Sequence, residues 1–329
     1  MKPNAHHKGQ KLIPTSAIFI CAHLDESARH LLRSTLPACS ITFAQRPMTS
    51  PENFAAFQQC DICFGNASAS WLDRAPRLRW MQLESIGFEY YQDLRKTPTR
   101  IAITNLQGLF ARPAAESAIA GLLALYRGID ILVPAQATAR WISLEVRPQM
   151  QLLANKQVMI LGHGSIGRKL RQLLEAFGCR VQSFARTAEG AELRTKGALD
   201  LALSKADIVA CCLPKTAETC GLVDCRRLGL MRSTAVFVNI GRGAVVDEPA
   251  LIESLQQQKL GGAVLDVTWQ EPLPPSHPLW TCPRTILLQH TGGGYQEELL
   301  DKARIFLANY SRFQRGQPLD NLVDLARGY

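Results

Sequence analysis

The sequence predicts an α/β protein made of two doubly wound, parallel-sheet units. Short apolar runs alternate with helix-period patterns along almost the whole chain, the mark of βαβ units whose strands are covered on both faces. A chain of 329 residues, 47% hydrophobic, is long enough to bury two such cores. A long apolar helix pattern, Pro113–Leu132, divides the strand series in two.

The first series places strands at Ala17–Ala22, Ile41–Ala44, Asp61–Phe64, Arg79–Leu83 and Ile101–Asn105, with helix patterns Asp25–Leu36 and Pro51–Gln59 between them. Pro113 suits the first turn of the dividing helix. The second series places strands at Gln157–Leu161, Arg180–Phe184, Ile208–Leu213, Ala235–Ile240, Ala263–Val267 and Thr285–Gln289. An amphipathic helix, Gln296–Phe313, follows and is expected to return to the first unit. The expected division is residues 1–112 with 297–329, and 113–296. No internal repeat or low-complexity tract interrupts the pattern.

Composition narrows the partners. The formal net charge of +9 suits a protein that draws anions inward. Its lysines and arginines are scattered rather than gathered in a stripe with interleaved aromatics, so no nucleic-acid partner is expected. Apolar runs such as Ala118–Tyr126 fall far short of the ~20 residues of a membrane span. The polar, basic stretch Met1–Lys11 lacks the apolar segment of a secretory signal. A cytoplasmic protein with no membrane partner is expected. Of ten cysteines, only Cys60 and Cys63 have C-x-x-C spacing, and they read as a strand entry. Cys211 and Cys212 read as opposite faces of one strand. Buried, reduced thiols are expected, and no metal site; His6 and His7 have no third ligand in view.

The strand Gln157–Leu161 runs into Gly162-His163-Gly164-Ser165-Ile166-Gly167, and a helix follows with Ile166, Leu170, Leu173, Leu174 and Phe177 on one face. A G-x-G-x-x-G in this strand–helix context reads as a dinucleotide-binding loop. Gly162 serves the tight turn, Gly164 lets backbone approach the pyrophosphate, and Gly167 brings helix and strand together. The helix N-terminus then offers N–H groups and a positive dipole end. His163 reads as solvent-facing. An NAD site places a carboxylate at the end of the next strand; here that position is Ala185, followed by Arg186 and Thr187. Arg186 and Thr187 can bind a 2′-phosphate, so NADP(H) is expected over NAD(H).

Several further stretches accompany this loop: Arg79–Glu89, Thr104–Glu116, Cys212–Thr216, Val238-Asn239-Ile240-Gly241-Arg242-Gly243 through Glu248, Leu265–Pro272 and Leu288-Gln289-His290. Together they resemble the D-isomer-specific 2-hydroxyacid dehydrogenases over most of the chain, above all the glyoxylate/hydroxypyruvate reductase branch. The resemblance implies a flavodoxin-like substrate domain, a Rossmann cofactor domain, a cleft between them, and a homodimer formed through the cofactor domains. It implies that Arg242 binds the carboxylate and carbonyl of a small 2-oxo or 2-hydroxy acid. His290 is then the acid/base and Glu271 its partner, orienting the ring and favouring the protonated form. Ser85, Ile86 and Gly87 correspond to backbone donors for the substrate carboxylate, with Glu84 pointing away. Ser165 and Ile166 correspond to phosphate donors, Asp266 to a neighbour of the nicotinamide carboxamide, and Leu213, Pro214, Thr219 and Ile240 to cofactor contacts. Trp141 is either a cap over the substrate or a core or interface residue.

The chain departs from the family pattern at Gln289, where proline is usual. It departs again at Ile86 and Phe88, which are bulky, and at Thr291–Gly294, a glycine run expected to be mobile. The function expected is hydride transfer between NADP(H) and a small 2-oxo acid. The rivals are a non-catalytic, cofactor-sensing corepressor and a same-scaffold dehydrogenase for phosphoglycerate, formate or phosphite. Retention of Arg242, Glu271 and His290 speaks for catalysis.

Overall fold

The structure, a computed structural model, describes residues 16–95 and 100–325. The segment Met1–Lys11, with His6 and His7, lies outside them. Two compact units form, one from Met1–Leu109 with Gln296–Tyr329, the other from Phe110–Tyr295.

In the first unit five parallel strands, β1 (Ala17–Ile20), β2 (Ser40–Phe43), β3 (Ile62–Phe64), β4 (Trp80–Gln82) and β5 (Ala102–Thr104), lie in the order β2-β1-β3-β4-β5. This is the flavodoxin-like order. Successive strand residues face opposite ways, so Ile18, Ile20, Ile62, Phe64 and Trp80 build one core and Phe19, Cys63, Met81 and Ile103 the other. The first core is closed by the helices Glu26–Thr35 and Glu298–Gln314. Phe306 of the latter stacks on Phe64 at 4.7 Å and on Trp80 at 5.2 Å, so truncating it to alanine removes about 3–5 kcal/mol.

The second unit carries six parallel strands: β6 (Gln157–Leu161), β7 (Arg180–Phe184), β8 (Ile208–Cys211), β9 (Val236–Asn239), β10 (Gly262–Leu265) and β11 (Thr285–Leu287). Their order is β11-β10-β9-β8-β6-β7. Leu193 adds a single parallel bridge outside β7, at Phe184. Counting that bridge as a vestigial strand, the arrangement is the Rossmann order, with its reversal between β6 and β8. Met159, Leu161, Val209, Cys211 and Phe237 face one core, while Val158, Ile160, Ile208, Ala210 and Val238 face the other. Burial pushes the Cys211 thiol up to about 12, which keeps it protonated and inert.

Two expectations are corrected. The helix read as Pro113–Leu132 is two helices, Ala111–Tyr126 and Ile129–Ala137, bent by 73°. Gly128 stands at the break with φ +67°, a conformation that ends an α-helix. Phe177 does not join the buried face of its helix; it sits at the C-cap, 44% exposed, before Gly178 turns the chain with φ +80°. Among the described residues no single helix is long and apolar enough to cross a membrane.

Candidate active site

The carboxyl ends of β9, β10 and β11 carry the charged groups. After β9, fully buried Asn239 closes the next turn from both sides: its Nδ2 donates to the Arg242 carbonyl and its Oδ1 accepts from the Gly241 N–H, both at 3.1 Å. The turn presents Arg242, whose Nη1 donates to the Gly241 carbonyl at 2.8 Å. A side chain on Gly243 would sit 2.0 Å from the Thr268 carbonyl, so the turns following β9 and β10 touch through backbone. Asp247 is committed to capping the helix Glu248–Gln256, accepting from the Ala250 N–H.

Beyond β10, the Glu271 carboxylate accepts the Thr268 N–H at 3.0 Å through one oxygen. Its other oxygen lies 2.6 Å from His290 Nδ1, with the two side chains 36% and 54% exposed. Gln289 and His290, past the end of β11, both have positive φ, +55° and +57°. Such paired left-handed residues cost about 1–3 kcal/mol each and persist where surrounding contacts hold them. Here the His290 N–H donates to the Asp266 carbonyl at 2.6 Å. Proline is confined to φ near −65°, so Gln289 takes a conformation that a proline at this position could not. The glycine run makes specific contacts on both sides. Gly292 N–H donates to buried Asp266 Oδ1 at 2.9 Å, its carbonyl accepts Ser117 Oγ, and Gly293 packs on Phe110.

At β6 the glycine loop has the geometry that a pyrophosphate needs. Gly162 has φ +105°. A Cβ on Gly167 would lie 2.1 Å from the Gly162 carbonyl, whereas one on Gly164 would project into open space. Gly164 caps the helix Ser165–Ala176, so the N–H groups of Ser165, Ile166 and Gly167 have no intrahelical acceptor. His163 is not solvent-facing as expected: it is 7% exposed, lies under Gly190, and its Nδ1 has no hydrogen-bond partner among the described residues. The loop Arg186–Leu193 folds back to bridge β7 and covers it. Burial, with the Arg171 and Arg168 cations, lowers the His163 pKa. A cavity of about 320 Å³ opens here, lined by His163, Arg171 and Glu192 among others. Arg186 is paired with Glu218.

In the first unit the bend after β4 contains Ser85, Ile86 and Gly87. Their carbonyls accept from Leu106 N–H, Asn105 Nδ2 and Ser85 Oγ respectively. Their own N–H groups have no acceptor among the described residues. Glu84 is occupied with the His23 N–H at 2.8 Å. Phe88, one of the two bulky departures, is buried against Tyr91.

The family model for the D-isomer specific 2-hydroxyacid dehydrogenase NAD-binding domain matches residues 119–292. The chain belongs to this family. It is an NAD(P)-dependent oxidoreductase, and a glyoxylate reductase of Aeropyrum pernix is 34% identical to it over 268 residues, 77% of this chain and 78% of that protein. A glyoxylate/hydroxypyruvate reductase B of Yersinia enterocolitica is 29% identical over 291 residues, 83% and 87% of the two chains. A D-isomer specific 2-hydroxyacid dehydrogenase from Xanthobacter autotrophicus, solved with NADPH and MES, superposes with a TM-score of 0.80 at 25% identity, covering 96% of this chain and all of that one.

Within this dehydrogenase the residues expected at the site are distributed as follows. Arg242, Glu271 and His290 stand beyond three adjacent strands, with Glu271 and His290 in direct contact. Asp266 is buried beside them and holds Gly292. Ile240 is buried, its N–H donating to the Cys211 carbonyl, and half-buried Leu213 touches Gly241. Thr219 is spent locally, donating to the Pro214 carbonyl at 2.6 Å and accepting from Thr216 N–H. Trp141 is 92% exposed, which excludes a core role in this chain. Sequence reasoning gave no role to Asn239, His163, Glu192 and Glu218. Asn239 stands inside the N-x-x-R-G stretch, and that was the available signal. Glu192, which accepts the Ser183 N–H at 2.7 Å and Arg171 at 2.5 Å, carries none.

Proposed function

We propose that this dehydrogenase reduces a small 2-oxo acid, glyoxylate or hydroxypyruvate, with NADPH. The observation that carries the reading is the 2.6 Å contact between His290 Nδ1 and Glu271, beyond β11 and β10, with Arg242 beyond the next strand, β9. Bound reduced nicotinamide supplies a hydride to the carbonyl carbon. Arg242 holds the carboxylate and polarises the carbonyl through its fork of donors. Because Nδ1 faces Glu271, the nitrogen left to deliver a proton to the carbonyl oxygen is His290 Nε2, and Glu271 orients the ring. Ser85, Ile86 and Gly87 give three N–H donors to the substrate carboxylate. The N–H groups of Ser165 and Ile166 serve the pyrophosphate, with Leu213, Pro214, Thr219 and Ile240 on the cofactor's flank and Asp266 near its carboxamide.

NADPH is favoured over NADH because Ala185 stands where an acidic residue would repel the 2′-phosphate, and Arg186 and Thr187 follow. We read the enzyme as a homodimer, which the exposed Ile129, Val133, Trp141 and Leu144 of the second unit support. A cytoplasmic setting accords with ten unpaired cysteines. The test is a panel of 2-oxo acids assayed with NADPH and NADH, followed by loss of reduced-nicotinamide absorbance. Turnover of glyoxylate or hydroxypyruvate, faster with NADPH, is expected; no turnover of any 2-oxo acid would sink the reading. Sedimentation of the native protein and of Trp141→Ala tests the dimer.

A further inference from the structure

We infer that Glu248, set against His277, is a positioning residue that holds the Glu271–His290 pair in place. The inference rests on the reading of that pair given above. Glu248 opens the helix that follows the Arg242 turn. A carboxylate at a helix N-terminus needs only solvent and the helix dipole to be comfortable. This one is instead 6% exposed and turned toward the loop after β10. A buried carboxylate must be fully partnered, and both its oxygens are engaged by that loop. Oε2 accepts the Trp269 N–H at 2.8 Å, and Oε1 lies 3.4 Å from His277 Nε2.

Those two contacts bracket Glu271. Trp269 precedes it by two residues and His277 follows it by six. The segment between is further knitted by Thr268 Oγ1 donating to the Gln270 carbonyl at 2.8 Å, and by Thr268 N–H donating to Glu271 itself. His277 is oriented in turn: its Nδ1 accepts the Leu279 N–H at 3.4 Å, which leaves the Nε2 proton facing Glu248. On the other side, the contact of Gly243 with the Thr268 carbonyl joins the Arg242 turn to the same loop. Glu248 thus ties the strand end that presents Arg242 to the loop that presents Glu271. It touches neither His290 nor a reacting atom; it acts through Glu271.

In Glu248→Gln one oxygen can still accept from Trp269, but an amide N–H then faces the His277 N–H, donor against donor. The loop must shift, and a displacement of about 1 Å in a catalytic group costs about 10²-fold in rate. Glu248→Gln is therefore expected to lower kcat about 10–100-fold while KM and the Kd for NADPH stay within about twofold. A crystal structure of the variant is expected to show Glu271 Oε2 out of hydrogen-bond range of His290 Nδ1. An unchanged kcat, or an intact Glu271–His290 contact, overturns the inference. Should Glu248→Gln fail to fold, His277 supplies the test. His277→Ala is expected to lower kcat about 5–10-fold, and His277→Gln, whose amide reaches the same oxygen, to restore most of it. Equal losses in both overturn the inference. If the unmodified enzyme turns over no 2-oxo acid, the proposed function fails, and the crystallographic Glu271–His290 distance still decides the role of Glu248.

Discussion

His290 Nδ1 lies 2.6 Å from Glu271 Oε2, and the same histidine is anchored through its N–H to the Asp266 carbonyl. Ring and backbone are both held, which leaves Nε2 as the nitrogen for the proton transfer proposed above. Replacing His290 with alanine is expected to lower kcat by about 10²–10⁴-fold, the range for loss of a general acid. Cofactor affinity, read by fluorescence titration, is expected to survive. Loss of NADPH binding along with turnover would show that His290 shapes the cofactor site instead.

Arg242 is presented by a turn that Asn239 closes. Lysine keeps the charge but not the two-point grip. Arg242→Lys is expected to lower kcat/KM about 10²–10³-fold, equivalent to about 3–4 kcal/mol of transition-state binding. A loss below threefold in steady-state kinetics would argue that charge alone suffices there.

Arg186 spends part of its charge on Glu218. Glu218→Gln is expected to tighten NADPH binding several-fold and leave NADH unaffected, and Arg186→Ala to weaken NADPH selectively. Equal changes for both cofactors, measured by titration, would remove Arg186 from the 2′-phosphate.

Gly167 leaves no room for a methyl group: a Cβ there would stand 2.1 Å from the Gly162 carbonyl. Gly167→Ala is expected to cost ~1–3 kcal/mol in denaturant unfolding and to weaken both NADPH and NADH. Gly164→Ala, with open space around it, is expected to leave stability unchanged and impair cofactor binding alone.

His163 gives a pH dependence of stability. Burial and the Arg171 and Arg168 cations lower its pKa below the ordinary value of about 6.5. The unfolded chain therefore takes up this proton at a pH where the folded chain does not. The residue's contribution is fully present above about pH 6.5 and is lost as pH falls from there toward the folded value. The melting temperature of the unmodified protein is expected to drop as the pH falls below about 6.5, and to drop less in His163→Gln. Parallel curves for the two proteins would show that His163 is not the titrating group.

What could be read from the chain follows from periodicity and from short motifs. Every expected strand forms, each ending within two residues of its anticipated C-terminus, because strands buried on both faces of a parallel sheet stand out in the local sequence as short, nearly continuous apolar runs. The glycine loop was equally legible, since each glycine answers a local backbone need. The single helix through Gly128 was misread because a lone glycine inside an apolar run does not announce whether it is packed or left-handed. His163 was misread because its cover, Gly190, comes from a loop 27 residues on. The sequence alone therefore determined two parallel α/β units, a dinucleotide loop and the strand ends at which Arg242, Glu271 and His290 stand. Tertiary structure decided what each charge touches: Glu271 on His290, Glu248 on Trp269 and His277, and Glu218 on Arg186. These pairings join groups that separate turns bring together, and no local pattern encodes the direction in which a side chain leaves a turn.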